Sequence, residues 1–249
     1  MRAWALLVEP RGRTGPDNMG TDAALLALAR EGGAFLRLYA WDPPCLSFGR
    51  NEPATRRYDR AGIAARGLAT VRRPTGGRAV WHDTEITYAV AAPIARFGSL
   101  PESYRTIHLM LARALTALGA PATLAPPART PHPDAGACFA APVGGEVLVD
   151  HRKVVGSAQL REDDAFLQHG SILIENRQHV VSEITIGAAA TPEAAGLAEI
   201  VGRRPAFDEL AGAIADAARS DWGGIWTAAD SPHLPDPNPF ADDRWTWRR

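Results

Sequence analysis

Arg72-Arg73-Pro74-Thr75-Gly76-Gly77-Arg78-Ala79-Val80-Trp81-His82-Asp83 lies between two apolar runs that read as strands. Gly67-Leu68-Ala69-Thr70-Val71 precedes it, and Glu85-Ile86-Thr87-Tyr88-Ala89-Val90 follows with the alternation and β-branched content of a second strand. Two adjacent glycines let the backbone approach a ligand and reach positive φ. Successive N–H groups in such a turn form a concavity suited to a carboxylate, a phosphate or an acyl carbonyl. Arg72, Arg73 and Arg78 add donors for the same kind of group. Taken alone, the stretch fits equally a hairpin with a solvated basic turn, because glycine is a common turn residue.

Outward from this loop, the chain alternates strands with a few helices. Trp4–Val8 reads as a strand. Asp17-Asn18 offers helix-capping chemistry ahead of Met19, Ala23, Leu26 and Ala27, and Gly32-Gly33 ends that helix. Phe35–Trp41 alternates as a strand, Pro43-Pro44 breaks it, and Cys45–Gly49 resumes as an edge or buried strand. Tyr58–Arg66 reads as one short helix. Pro101 opens the clearest helix, with Ile107, Met110, Leu111, Ala114, Leu115 and Leu118 at helical spacing and Gly119 as its stop. Ala120–Gly136 is proline-rich and irregular. Glu146–Val149 and Lys153–Ala158 form a predicted hairpin turning at Asp150-His151-Arg152, and Phe166–Ile174 is another strand. Helices are expected near Pro192–Gly202 and Phe207–Ser220. Strands in the middle with helices on the flanks, and no regular strand–helix alternation, predict an α+β fold. With no internal repeat or separating linker, residues 1–249 are expected to form one domain, with 221–249 as a tail that packs on the surface or stays mobile.

Composition narrows the function. The 249 residues carry a formal net charge of −1, which gives no reason to expect nucleic acid or an anionic membrane as partner. No apolar run approaches membrane-spanning length, and the N-terminal apolar stretch is too short for a secretory signal. Two cysteines, Cys45 and Cys138, make no disulfide framework, and no metal-type Cys/His spacing appears. A cytoplasmic protein with reduced thiols and no metal is the expectation.

Cys138 lies in Asp134-Ala135-Gly136-Ala137-Cys138-Phe139-Ala140-Ala141-Pro142, where small residues would let a bulky substrate reach the thiol. A lone cysteine can equally be a small buried apolar residue, and for Cys45, in an apolar run, that is the preferred reading. Lys153 opens a strand fifteen positions after Cys138, a common place for a solvated charge. The Gly156-Ser157-Ala158-Gln159 that follows interrupts an apolar strand, and glycine there marks close approach of a ligand or another backbone. His169-Gly170 repeats that signature in the next strand. Small residues in mid-strand predict a groove across a sheet face, wide enough for an extended apolar chain.

Together, Arg73–His82, Glu85-Ile86-Thr87-Tyr88, Lys153–Gln159, Leu167–Ile172 and Trp41–Arg50 resemble, in order, the blocks of the lipoate/biotin protein ligase superfamily, over about residues 1 to 220. Within it the chain most resembles the ligase-like octanoyl-[acyl-carrier-protein]:protein N-octanoyltransferases. Arg78 stands where adenylate-forming ligases usually have a third glycine, and Cys138 matches the cysteine that the transferases use. Val143-Gly144-Gly145 and His151 depart from the usual pattern, which carries Ser with an aromatic residue and a turn glycine there.

The resemblance implies a mixed β-sheet flanked by helices, like the catalytic core of biotin ligase and class II aminoacyl-tRNA synthetases. It implies Cys138 as acyl-thioester nucleophile and Lys153 as its cationic partner, with no cofactor. It places Gly76 and Gly77, with Thr75, beside the acyl chain, and Gly156, Ser157, Ala158, His169 and Gly170 along its tunnel. Arg73, Arg78 and His82 then either shape the loop and meet carrier groups or make ordinary loop hydrogen bonds. The implied donor is octanoyl-acyl carrier protein, the implied acceptor a glycine cleavage H protein or E2 lipoyl domain, and the enzyme a monomer. Three other functions stay open: an ATP-dependent lipoate–protein ligase, an amidotransferase between lipoyl-bearing proteins, and a non-catalytic acyl-binding protein.

Overall fold

The strand expected at Glu85–Val90 runs Glu85–Pro93, and its alternation sorts the core into two faces. Ile86, Tyr88, Val90 and Ala92 point to one buried cluster, Ala89 and Ala91 to another. The structure is a computed structural model that describes residues 3–126, 145–187 and 194–249. Its strands are β1 (Ala3–Arg13), β2 (Phe35–Trp41), β3 (Cys45–Phe48), β4 (Ala69–Arg72), β5 (Val80–His82), β6 (Glu85–Pro93), β7 (Thr123–Leu124), β8 (Val147–Val149), β9 (Arg152–Lys153), β10 (Val155–Glu162), β11 (Ala165–Leu173) and β12 (Ile225–Ala228). Its helices are α1 (Gly15–Arg30), α2 (Ala54–Arg57), α3 (Arg60–Ala65), α4 (Leu100–Ala117), α5 (His179–Glu183), α6 (Leu197–Val201), α7 (Phe207–Trp222) and α8 (Asp243–Thr246). Among the described residues the main sheet has the order β10-β11-β6-β2-β1-β12. Its first four strands pair antiparallel, while β1 pairs parallel with β2 and β12. The mixed sheet with flanking helices is the α+β fold that the sequence predicts.

α4 and α7 cover one face of this sheet. Ile107, Met110, Leu111 and Leu115 of α4 and Leu210 and Ile214 of α7 are buried against Leu36, Leu38, Ile86 and Val90. Each such side chain contributes about 1.5–3 kcal/mol by leaving water. α1 covers the other face with Met19, Leu25 and Leu26. Its cap is Thr14, whose Oγ1 accepts from Asp17 N at 3.3 Å, three residues before the expected Asp17-Asn18. Pro16 follows in the first turn, where its missing N–H has no helical acceptor to lose.

Four expectations need correction. The helix expected at Tyr58–Arg66 is shorter, Arg60–Ala65, because Tyr58 is extended and bridges Thr185 and Asp59 caps α3 through Gly62 N, while α2 precedes it as a separate turn. The loop after Arg72 is shorter than expected, since Val80–His82 pairs with β3 in a small sheet of order β4-β3-β5. The strand read as Lys153–Ala158 breaks at Val154: Lys153 pairs with β8, and Val155 begins the strand beside β11. The stretch 221–249 contains a strand that the sequence reading did not: β12 joins the sheet beside β1. Beyond it, Trp245 Nε1 donates to Arg72 O at 2.9 Å and Arg72 Nε donates to Thr246 O at 2.9 Å, so the tail packs behind the glycine loop. The hairpin turn at Asp150-His151 forms as expected, with φ of 48° and 63° at residues more tolerant of that region than most.

On the α4 side a polar chain is sealed into the core. Gln168 Nε2 donates to Tyr88 Oη, which lies 2.7 Å from Ser157 Oγ, itself 2.8 Å from His108 Nε2. His108 Nδ1 lies 2.6 Å from Gly145 O, which fixes the ring proton on that nitrogen. Burial pushes the imidazole down to about 4, and the Lys153 charge adds to this, so the ring is neutral at pH 7. In the unfolded chain it titrates near about 6.5. Between these values unfolding takes up a proton, so its stabilisation is complete above about pH 6.5 and lost by about pH 4, up to about 3 kcal/mol. In His108→Gln the slope of unfolding free energy against pH should therefore fall by about 1.4 kcal/mol per unit across that window, as read by urea denaturation. An unaltered slope would show that His108 is not held neutral.

Candidate functional site

An open cleft lies on the α1 side of the sheet, with Arg73 and Val80 at the two ends of the glycine loop in its wall. Met19, Tyr39, Trp41, Arg73, Val80, His82, Thr87, His169 and Ser171 line it, with the small residues Gly156, Ser157, Ala158 and Gly170 along β10 and β11. Seven of the expected site residues thus meet at one cleft: Arg73, His82, Gly156, Ser157, Ala158, His169 and Gly170.

Two buried chains of hydrogen bonds tie the loop to the sheet. The first starts at Arg37, wholly buried on β2, whose Nη1 is 2.8 Å from Asp22 Oδ1. Asp22 also receives Tyr39 Oη at 2.9 Å and His169 Nδ1 at 2.8 Å through Oδ2. Burial alone would raise this carboxyl, but the His169 hydrogen bond and the Arg37 charge outweigh it and hold the group below its usual range. With Nδ1 committed to Asp22, His169 Nε2 meets the Thr75 hydroxyl at 2.6 Å. The second chain runs from Arg73 Nη1 to Ser47 Oγ at 2.6 Å, from Ser47 Oγ to His82 Nε2 at 2.5 Å, and from His82 Nδ1 to Glu85 Oε1 at 2.8 Å. Burial lowers the His82 pKa in spite of Glu85, so the neutral ring donates through Nδ1 and accepts the Ser47 proton at Nε2. Glu85 Oε1 also accepts from Thr87 and Ser171, and Trp41 Nε1 donates to Thr87 while its ring stacks on His82 at 3.9 Å.

Arg73 further donates through Nη2 to Gly76 O and Arg78 O, and so closes the loop on itself. Gly77 has a φ of +90°, where a side chain would be strained. At Gly49, at the end of β3, a Cβ would fall 1.9 Å from Gly77 O, so only glycine lets the two turns touch. Arg50 N donates to Thr75 O at 2.7 Å, and buried Glu52 accepts from Gly49 N, Ala79 N and Tyr58 Oη.

The polar groups of this wall are spent on one another. Both nitrogens of His82 and of His169, and the hydroxyls of Thr87 and Ser171, already have partners. What remains facing the cleft is largely carbon, which suits an apolar chain. Among the described residues no group of three His, Cys, Asp or Glu is placed to hold a metal.

Two positions differ from their sequence reading. The Ser157 hydroxyl turns away to Tyr88 and His108, so this residue offers the cleft its main chain. Gly170 lacks a side chain because a Cβ would strike Gly156 O at 2.5 Å, Ser157 Oγ at 2.6 Å and the Tyr88 ring at 2.9 Å: its neighbours are strand and core. Lys153 is buried, with Nζ 2.6 Å from Glu146 Oε1. Glu146 stands two positions after 127–144, the segment that carries Cys138 and lies outside the described residues. Cys45 is fully buried and burial pushes its thiol up, which agrees with the core reading. The sequence reading missed Asp22, Arg37, Ser47, Glu52, Glu85 and Glu146 as site-forming groups. Asn18 and Asp22, four apart on a buried helix face, were the legible signal for the first two.

With this geometry in hand, the likeness to known proteins falls into place. Residues 15–218 match the family described as the lipoyl protein ligase A/B catalytic domain. An octanoyltransferase LipM of Kyrpidia tusciae is 43% identical over 185 residues, covering 70% of this chain and 67% of that one. Another, of Moorella thermoacetica, is 39% identical over 206 residues, covering 75% of each. The fold superposes on lipoate-protein ligase A bound with ATP at a TM-score of 0.81, with 18% identity and 99% of both chains covered. It superposes on a bi-partite lipoate protein ligase of Thermoplasma acidophilum at 0.75, with 17% identity, 99% of this chain and 96% of that one. The chain belongs to the lipoyl protein ligase A/B catalytic domain family.

Proposed function

We propose that this chain transfers an octanoyl group from octanoyl-acyl carrier protein to a lysine of a lipoyl-bearing protein, a glycine cleavage H protein or an E2 lipoyl domain. The observation that carries the proposal is a cleft whose polar groups satisfy one another and leave an apolar wall, in a chain 39–43% identical to octanoyltransferases. On the sequence resemblance we take Cys138 as the nucleophile. In that reading its thiolate attacks the donor thioester carbonyl, a new C–S bond forms, and the carrier thiol leaves with a proton from solvent. The acceptor amine then attacks the acyl-enzyme, an amide forms, the Cys138 C–S bond breaks, and the amine's proton passes to the departing thiolate. Thr75, Gly76 and Gly77 lie beside the acyl carbonyl, held from behind by His169 and Arg73.

Lys153 is the chain's single lysine: every other one of its 27 lysine-plus-arginine residues is an arginine. An arginine is fixed as a cation, whereas an ammonium changes its protonation when its surroundings demand it. Paired with Glu146 at the foot of the Cys138 segment, Lys153 is the cation we assign to favouring the thiolate.

Three outcomes test the proposal. Octanoyl-carrier protein should leave a hydroxylamine-labile adduct of octanoyl mass on Cys138, still formed in Cys45→Ser, and an adduct on Cys45 would sink the assignment. Arg78 occupies the place of a third glycine, so transfer to an apo lipoyl domain should run at full rate without ATP or magnesium. Strict dependence on ATP would point to a ligase. For the third, removing Lys153 alone would break its buried ion pair with Glu146, at a cost of about 3–5 kcal/mol. The combined Lys153→Met and Glu146→Gln change avoids that and should raise the pH midpoint of iodoacetamide labelling of Cys138 to about 8.5, while Lys153→Arg keeps it lower. Equal midpoints in all three proteins would remove Lys153 from any part in tuning the thiol.

A further inference from the structure

About half of the described arginines pair with a carboxylate where they stand. Arg30, Arg60, Arg66, Arg113 and Arg152, for example, each reach a carboxylate within 3.0 Å. Behind the glycine loop the pattern reverses. Arg50, Arg248 and Arg249 reach no carboxylate among the described residues. They gather around Arg72, which is wholly buried. Arg248 Nη2 donates to Arg50 O at 2.6 Å, Thr55 N donates to Arg249 O at 2.8 Å, and Arg72 Nη1 donates to Gly49 O, Arg50 O and Glu52 O. Arg72 Nη2 is buried with no hydrogen-bond partner among the described residues. Burial, the neighbouring Arg248 and Arg249, and Arg73 bring Arg72 down to about 10, against the one opposing charge of Glu52. Burial, Arg50 and Arg249 likewise lower Arg248. Like charges held together repel, and the stacking of Arg248 on the Trp245 ring at 3.9 Å leaves its charge unneutralised, as an anion visiting the surface would not.

We propose that Arg50, Arg248 and Arg249, around buried Arg72, form the docking surface for the acyl donor's carrier: an acidic protein whose thioester arm is rooted in a phosphodiester. The proposal rests on the octanoyl-transfer reading. Arg50 N on Thr75 O puts this surface directly behind the loop whose ends, Arg73 and Val80, line the cleft, so a carrier seated there stands close to the space its arm must enter. The sign of the charge selects the donor over the acceptor. The acceptor approaches with a lysine ammonium, which clustered guanidiniums repel. The donor brings a phosphodiester, which a guanidinium fork binds bidentately.

The test uses the full chain with Arg248→Glu and Arg249→Glu combined, both exposed and outside the cleft. With octanoyl-carrier protein as donor, kcat/KM should fall by about tenfold or more. With octanoyl-pantetheine, which has neither protein nor phosphate, it should be unchanged, and the KM for the lipoyl domain should stay the same. Binding of the unacylated carrier, followed by fluorescence anisotropy, should weaken in parallel, and raising salt should weaken the wild type likewise. Equal losses with both donors, a raised KM for the acceptor, or undiminished carrier binding would each overturn the proposal. If the wild type uses neither donor, the octanoyl-transfer reading fails by itself, and the anisotropy titration still decides whether this surface holds the carrier.

Discussion

A single buried carboxylate organises the catalytic half of this molecule. Asp22 lies within α1, fully buried, and accepts hydrogen bonds from Arg37 on β2, Tyr39 on β2 and His169 on β11. A charge in that position is tolerated only when it is paired and fully hydrogen-bonded. The pair contributes little net stability over a well-packed apolar core of the same shape, but loss of one partner strands the other. What it supplies is geometry. Helix, central strand and penultimate strand must dock in one register for all donors to reach Asp22, and in that register alone His169 presents Nε2 to Thr75.

The second relay works to the same end from the other side of the cleft. Glu85 fixes His82, His82 fixes Ser47, and Ser47 with Arg73 fixes the carbonyls of Gly76 and Arg78. The loop is thus gripped at Thr75 and at Arg73 by groups whose own partners are buried. The consequence for binding is indirect. Histidines, serines and threonines that hydrogen-bond to each other have nothing left to offer water or ligand, so a wall built from polar residues behaves as an apolar one. Trp41 and Met19 complete that surface.

Much of the architecture was legible because it follows from local rules. The alternation of Glu85–Val90, the helical spacing of Ile107 to Leu118 and the breaks at Pro43-Pro44 and Gly119 placed most elements near their positions. The glycine loop and the small residues of β10 and β11 marked the cleft. The remainder was hidden for physical reasons. Val80–His82 is a strand only because β3 lies beside it, and three residues carry no period. β12 is mostly exposed and pairs with a strand more than two hundred positions away. Asp22 reads as an ordinary polar residue of a helix until β2 brings a guanidinium against it. The break at Val154 reflects two sheets competing for one strand, a choice made by tertiary packing. Gly170 was read as close approach of a ligand or another backbone, and of the two it is the Gly156 backbone, with Ser157 and Tyr88, that takes the place of its side chain.

The placing of charge follows from the same economy of partners. Around the cleft wall the charged groups are engaged: Asp22 with Arg37, Glu85 Oε1 with His82, Thr87 and Ser171, and Arg73 with Ser47 and the Gly76 and Arg78 carbonyls. A ligand entering this space meets polar groups that are already hydrogen-bonded, which favours an apolar acyl chain. Uncompensated charge is displaced outward, to the arginines behind the loop, where water screens it within about 8–10 Å and only a partner at the mouth feels it. The loop between them is the boundary. Its inner side is held by histidines and its outer side by Arg72, so the electrically quiet cleft and the positive rim are two faces of one short stretch, 72–79. The separation follows from the fold: the same arginine-rich stretch turns Arg73 inward onto Ser47 and loop carbonyls and Arg72 outward onto the carbonyls of Gly49, Glu52 and Thr246.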